Sequence, residues 1–210
     1  MKLVIGNKNY SSWSLRPWLL LREFAIGFEE IQVSLRPDGR SERLRQYSPA
    51  GKVPVLIDGG LTVWDSLAIC EYVNEQYLDG KGWPADVSQR AEARSISAEM
   101  HSSFQALRSE MPLDCRARKK VTPSTAVGND IRRIEQIWAS CRSKYSKTGP
   151  WLYGGFSIAD CMYAPVVLRF ISYGVHVTET SQAYMDTVTG NRHMKNWLDA
   201  AAAEQETLPD

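Results

Sequence analysis

The sequence predicts an α/β domain followed by an all-helical one. Over residues 1–79 the apolar period changes repeatedly, as short strands alternating with helices require, whereas beyond residue 86 strand signals nearly vanish and helical spacing persists. Between them, Asp79-Gly80-Lys81-Gly82-Trp83-Pro84 is rich in Gly and closed by Pro, which is linker composition. The boundary falls there, giving domains over 1–79 and 86–210.

Lys2 to Ile5 is a short apolar run with β-branched members and reads as a strand. Ser14 is positioned to cap a helix in which Leu15, Trp18, Leu19, Ala25 and Ile26 recur at helical spacing until Gly27 stops it. Phe28 to Leu35 reads as a second strand, and the charged stretch from Pro37 to Tyr47 as an irregular or helical link. Val55-Leu56-Ile57 and Leu61-Thr62-Val63-Trp64 flank Asp58-Gly59-Gly60, a hairpin pattern. From Asp65 to Tyr77, Leu67, Cys70, Val73 and Tyr77 share one helical face. The resulting β-α-β-α-β-β-α order fits a thioredoxin-like layout. In the second half, Ile131, Ile134, Ile137 or Trp138, and Cys141 mark an amphipathic helix with Arg132, Arg133 and Glu135 turned outward. Met100, Phe104 and Leu107 also fall on one helical face, and Ala200 to Ala203 favours helix.

Composition narrows the function. The 210 residues are 43% hydrophobic and 23% charged, an ordinary globular balance able to bury a core. Lys plus Arg number 25 against 24 Asp plus Glu, a net charge of +1, so no broad field recruits nucleic acid or anionic lipid. No apolar run reaches the roughly 18 residues of a membrane span, and the chain reads as cytoplasmic. Cys70, Cys115, Cys141 and Cys161 lie far apart without a CxxC or a nearby His pair, so no metal site is written and buried reduced thiols are expected.

Four segments matter together: Ser11-Ser12-Trp13-Ser14-Leu15-Arg16-Pro17 after the first strand, Lys52-Val53-Pro54-Val55-Leu56 entering the third, Trp64-Asp65-Ser66-Leu67-Ala68-Ile69 opening a helix, and Tyr153-Gly154-Gly155-Phe156-Ser157-Ile158-Ala159-Asp160 in the helical half. In the last, a hydroxyl at N-cap and an acid at N3 form a capping box, with Phe156 available as a staple onto Cys161. Taken alone, the serines cap backbone N–H groups, Asp65 and Ser66 form an ordinary N-cap, and Lys52 is solvated. In order, spacing and length the whole chain resembles the cytosolic glutathione transferases, bacterial and serine-type, and most like the zeta class through its double serine and Arg16.

That resemblance implies a thioredoxin-like N-terminal domain binding glutathione and an all-helical C-terminal domain contributing the electrophile pocket. Glutathione is then a co-substrate, and no metal or other cofactor is implied. It also gives site roles. Ser11 or Ser12, Ser11 ahead, donates to the glutathione thiolate. Lowering a thiol pKa of about 8.5 by two units takes roughly 2.7 kcal/mol. One charge-assisted hydrogen bond gives roughly 1.5 to 3 kcal/mol and a helix end roughly 0.3 to 1, so a hydroxyl and a helix dipole suffice without a histidine. Val53, before a cis Pro54, offers its backbone to the cysteinyl unit, and Lys52, or Arg40 or Arg43, meets the glycine carboxylate. Ser66 and the helix N-terminus suit the γ-glutamyl carboxylate, and Asp65 the ammonium. Gln105 corresponds to a glutathione-contacting position. Trp13, Met100, Phe104 and Arg108 line the electrophile pocket, while Trp13 reads at least equally well as a core aromatic and a helical stripe such as Met100 and Phe104 is more often core than pocket. His101, His176 and His193 find no partner in sequence. The implied activity is detoxifying conjugation by a homodimer. The rivals are cis-trans isomerisation of a maleylacetoacetate-type diacid, which returns glutathione, and a non-catalytic adaptor or ligand carrier.

Overall fold

The computed structural model describes residues 1–208. Four strands, β1 (Lys2–Ile5), β2 (Glu29–Gln32), β3 (Val55–Asp58) and β4 (Leu61–Val63), form one sheet in the order β2-β1-β3-β4. β1 and β2 run parallel, with Lys2 opposite Glu29. β3 is antiparallel to β1, and β4 turns back on β3. The period-2 geometry of a strand explains the layering. Leu3 and Ile5 enter the main core, while Val4 points to a small cluster with Val33, Leu44 and Val55. Leu44 comes from the short helix α2 (Arg40–Arg45). The main-core face carries α1 (Ser12–Glu23) and α3 (Ser66–Tyr77).

The first helix begins earlier and ends earlier than its sequence spacing suggests. Ser11 is the N-cap, and Ser14 lies inside the helix, fully buried. At the other end Ala25, not Gly27, takes the left-handed conformation, with φ 53°. The Ile26 N–H bonds the Leu21 carbonyl at 2.9 Å and the Ala25 N–H bonds Arg22 at 3.2 Å, closing a Schellman pair. The second strand is likewise shorter than the run from Phe28 to Leu35.

Beyond the sheet lie α4 (Val87–Ser102), α5 (Gln105–Glu110), α6 (Thr125–Tyr145), α7 (Ile158–Ser172), α8 (Glu179–Gly190) and α9 (Arg192–Ala203). A thioredoxin-like layer followed by a helical remainder is therefore the architecture. The helix expected through Met100, Phe104 and Leu107 is broken: α4 stops at Ser102, and Phe104 sits at φ 63° before α5. α7 is apolar almost all round, and a helix of that kind has to be covered on every side. α1 packs on it from the sheet side and α4 and α8 from others, so one apolar cluster runs through both halves. The Gly-rich segment between the halves is tied down. The Gly82 N–H donates to Asn74 Oδ1 at 2.9 Å, and the Gly82 carbonyl accepts the Ile158 N–H at 2.9 Å. A Cβ at Gly82 would lie 2.8 Å from Asn74 Oδ1.

Asp160 organises the start of α7. Its carboxylate accepts the Ser157 N–H at 2.9 Å, the Ser157 hydroxyl at 3.1 Å, the Leu152 N–H at 3.1 Å and the Tyr184 hydroxyl at 3.2 Å. Phe156 packs its ring against Trp151 and Phe24. After α9 the chain doubles back across the turn that leads into α1. Glu204 accepts the Lys8 and Asn9 N–H groups at 2.6 and 3.1 Å, and Arg116 donates to the Glu204 and Glu206 carbonyls at 2.6 and 3.1 Å. All four cysteines are buried and free.

Candidate functional site

The turn from Gly6 to Ser11 delivers two serines to the head of α1, and the fold holds it from behind. Trp197 of α9 donates its indole N–H to the Lys8 carbonyl at 3.0 Å, and the Lys8 ammonium pairs with Glu30 at 2.6 Å, close to the Trp18 and Trp197 rings. Both serine hydroxyls are buried. Ser11 Oγ lies 2.7 Å from Ser14 Oγ, which also accepts the Gly6 N–H at 3.1 Å. Ser12 Oγ accepts from Arg169 Nη2 at 3.1 Å.

Trp13, next in sequence, stands between two hollows and lines both. On one side is a groove of about 330 Å³ bounded by Ala50, Lys52, Val53, Pro54, Trp64, Asp65 and Ser66. The Val53–Pro54 peptide is cis, as is Trp64–Asp65. Asp65 caps α3 by accepting the Leu67 N–H at 2.8 Å, which leaves Oδ2 3.3 Å from His101 Nε2. His101 also packs its ring edge-on to Trp13 at 5.2 Å. Burial holds the His101 pKa below the ordinary imidazole value, opposed by the Asp65 charge and reinforced by Arg16 and Arg108. Ser66, fully buried, accepts from Arg16 Nη1 at 3.5 Å.

On the other side is a cavity of about 640 Å³. Tyr10, Trp13, Pro112, Leu113, Tyr173 and Leu208 supply apolar wall, and Arg108, Arg169, Lys119 and Asp114 the charge. Arg108 is held by the Ser103 carbonyl at 3.0 Å and by the Met100 carbonyl, with its guanidinium carbon 4.8 Å from the Trp13 ring centroid. Arg16 stands 4.3 Å from the same ring and is wholly buried, which pulls its pKa down to about 9 with help from Arg108 and Arg169. The head of α1 is thus an aromatic partition among cations, a setting that favours a bound negative charge.

Of the residues singled out by sequence, Lys52, Val53, Pro54, Asp65 and Ser66 converge on the groove, and Trp13 joins it to the cavity that holds Arg108. Ser11 and Ser12 lie at the head of the helix behind Trp13. Met100 and Phe104 are not in either lining: both are buried in the main core, because the break after Ser102 turns Phe104 inward. Gln105 is exposed, and its amide donates to the Ser102 carbonyl at 3.3 Å. Arg43 is occupied by the Ser34 and Arg36 carbonyls at 3.3 and 2.8 Å. His101 does have a partner, Asp65, across 36 positions of sequence. Arg169, Tyr10, Tyr173 and the segment Thr207–Leu208 escaped the sequence reading. The one available signal was an arginine inside an otherwise apolar helix, which marks a charge with a reason to be buried.

Comparison with known proteins accords with this geometry. The family model of the glutathione S-transferase N-terminal domain matches residues 10–76. The dichloromethane dehalogenase of Methylorubrum extorquens is 47% identical over 62 residues, 29% of this chain and 21% of that relative's own length. Maleylacetoacetate isomerase of Rattus norvegicus is 30% identical over 161 residues, covering 74% of this chain and 71% of the rat protein. A glutathione transferase homologue from Burkholderia GL BGR1, solved with bound glutathione, superposes with a TM-score of 0.75 at 21% identity, covering 97% of this chain and 98% of that one. The chain belongs to the glutathione S-transferase family and is most like its zeta class.

Proposed function

We propose that this protein binds glutathione in the groove beside Trp13, ionises its thiol at the head of α1, and directs the thiolate at an electrophilic carbon held in the adjoining cavity. The observation that carries this is the position of Trp13, directly after the double serine, with the cis Pro54 segment and the capped start of α3 on one side and a roomy aromatic cavity on the other. In this reading Ser11 or Ser12 donates to the sulfur, the Val53 backbone pairs with the cysteinyl unit, and Lys52 meets the glycine carboxylate. Ser66 and the start of α3 receive the γ-glutamyl carboxylate, and Asp65 its ammonium. The thiol proton leaves to solvent and the sulfur keeps the electron pair. Attack on carbon then forms the C–S bond and expels the leaving group with the electrons of the broken bond, or completes an addition.

Glutathione titration combined with turnover of an aromatic halide tests this reading. Binding with glutathione consumed supports it, binding without turnover leaves an adaptor, and no binding rejects it. A second reading is favoured by the likeness to rat maleylacetoacetate isomerase together with Arg108 and Arg169 on the cavity wall. In that case the same thiolate adds reversibly to a diacid and is released, so product analysis recovers glutathione. We also infer a cytoplasmic homodimer. Leu61 on β4 and Tyr77 at the end of α3 are exposed at 47% and 45%, apolar surface suited to a second copy. Light scattering at dimer mass checks it.

A further inference from the structure

Tyr10 immediately precedes the double serine, and it lines the cavity rather than the groove. A phenol has one proton to give and two lone pairs to receive. Both lone pairs of Tyr10 are taken: Arg116 Nη2 donates to Oη at 3.0 Å and the Leu208 N–H at 3.3 Å. Neither donor can accept in return, and among the described residues no acceptor holds the Tyr10 proton. The guanidinium polarises the oxygen and so makes the O–H a stronger donor. The second tyrosine of the wall is bonded the opposite way, since Tyr173 donates its hydroxyl to the Pro112 carbonyl at 3.0 Å.

The two groups that clamp Tyr10 are themselves fixed. The Arg116 N–H donates to Asn9 Oδ1 at 3.0 Å and its Nη1 to the Glu204 carbonyl at 2.6 Å, while the Glu204 carboxylate accepts the Lys8 and Asn9 N–H groups. A donor held this way is oriented before a ligand arrives, so little freedom is lost in using it. The surrounding wall is apolar at Trp13, Leu113 and Leu208 and cationic at Arg108 and Arg169. An uncharged conjugated body suits the first set, and an oxygen that gains negative charge during the reaction suits the second. A carbonyl conjugated to the attacked carbon meets both conditions.

We propose that Tyr10 is a specificity-determining residue on the electrophile side of the site: its O–H donates to the carbonyl oxygen of an α,β-unsaturated carbonyl substrate. This rests on the glutathione reading above and names the electrophile class within it. The sulfur pair forms the C–S bond at the β-carbon, the alkene π pair becomes the new C=C bond of an enolate, and the carbonyl π pair moves to oxygen, where the Tyr10 hydrogen bond strengthens. The proton that the thiol gave to solvent is returned at the α-carbon, and nothing is expelled.

Benzylideneacetone, an enone, and benzyl chloride, which carries no oxygen, separate this role from a general one. Their kcat/KM values are measured at saturating glutathione in the unaltered full chain, in Tyr10→Phe, which keeps the ring, and in Arg116→Ala, which releases the C-terminal segment but keeps the phenol. In Tyr10→Phe the value for the enone is expected to fall about tenfold and that for benzyl chloride about twofold. The ultraviolet titration of the bound thiol is expected to keep its midpoint, because this hydroxyl meets the electrophile and not the sulfur. Arg116→Ala is expected to change both electrophiles by the same factor. The inference is overturned if Tyr10→Phe lowers the two substrates equally, if Arg116→Ala reproduces the selective loss, or if Tyr10→Phe moves the thiol titration to that of free glutathione. An unaltered chain that consumes glutathione with benzyl chloride but not with the enone also overturns the inference alone. An unaltered chain that neither binds glutathione nor turns over either electrophile rejects the glutathione reading and this inference with it.

Discussion

The groove and the cavity on either side of Trp13 are built in opposite ways. The groove is made of backbone and short side chains near one end of the sheet: a cis-proline segment, an Asx-capped helix start and one exposed lysine, all within residues 50–66 and facing Trp13. The cavity gathers side chains from Tyr10, Arg108, Leu113, Arg169, Tyr173 and Leu208, five stretches brought together by helix packing and by the returning C-terminal segment. A surface of fixed backbone groups suits a constant partner, since its hydrogen-bonding groups are already oriented. A surface of long side chains on different helices can change shape and charge without disturbing the sheet.

The largest expected effect comes from removing the partition. Trp13→Ala joins the two hollows and strips aromatic wall from both, and kcat/KM for conjugation is expected to fall by about 10²-fold, a magnitude ordinary for lost alignment of two reactants. A loss confined to one substrate's KM would show that the two sides are independent of Trp13. Next is Asp160, which fixes the α7 start behind the Arg169 wall. Its burial raises its pKa to about 6 from 3.8, so the folded state binds a proton more tightly than the unfolded one. This group's contribution to stability is therefore full below pH 4 and is lost as pH rises through about 6, on the order of 3 kcal/mol. Chemical denaturation at several pH values should find the stability gap between the unaltered chain and Asp160→Asn widening as pH falls from 7 to 5. A constant gap would place the pH dependence elsewhere.

Groove variants should be selective. Ser66→Ala removes the hydroxyl that Arg16 contacts and is expected to raise the glutathione KM about tenfold while the KM for the electrophile holds, as measured by varying each substrate in turn. The smallest effect is expected at the rim. Arg116→Ala frees the segment that brings Leu208 over the cavity, by removing its bonds to Glu204, Glu206 and the Tyr10 hydroxyl. The electrophile KM should move by roughly two- to fivefold, in keeping with the loss of exposed hydrogen bonds worth about 0.5 to 1 kcal/mol, and the glutathione KM should not. An equal change in both would merge the two surfaces into one.

The groove was legible in the chain because its parts are local. A hairpin signal at Asp58-Gly59-Gly60, an Asp-Ser pair ahead of a helical face and a proline entering a strand are each set by neighbours in sequence, and β3, β4 and α3 stand where that reading put them. The capping pair Ser157 and Asp160 was legible for the same reason. The cavity was not. The resemblance placed Met100 and Phe104 in the pocket lining, whereas a helical stripe of that kind is more often core, and both lie in the main core, Met100 within α4 and Phe104 at the left-handed break before α5. Ser14 resembled a cap because a serine ahead of an apolar run can be one, yet three serines lie close together, and the turn held by Asn7, Lys8 and Asn9 decides which one starts the helix.

By itself, the order of polar and apolar residues determined two layers of structure, a thioredoxin-like sheet with its helices and a helical remainder, together with the groove that local turns and caps create. Helix packing alone decided that Arg169 reaches Ser12, that His101 meets Asp65 and that the segment after α9 closes over Tyr10. The physical reason is range. Turns, caps and strand periodicity act over a few residues, whereas a buried charge finds its partner only after the helices bearing both have docked, across a separation of 157 residues for Arg169 and Ser12.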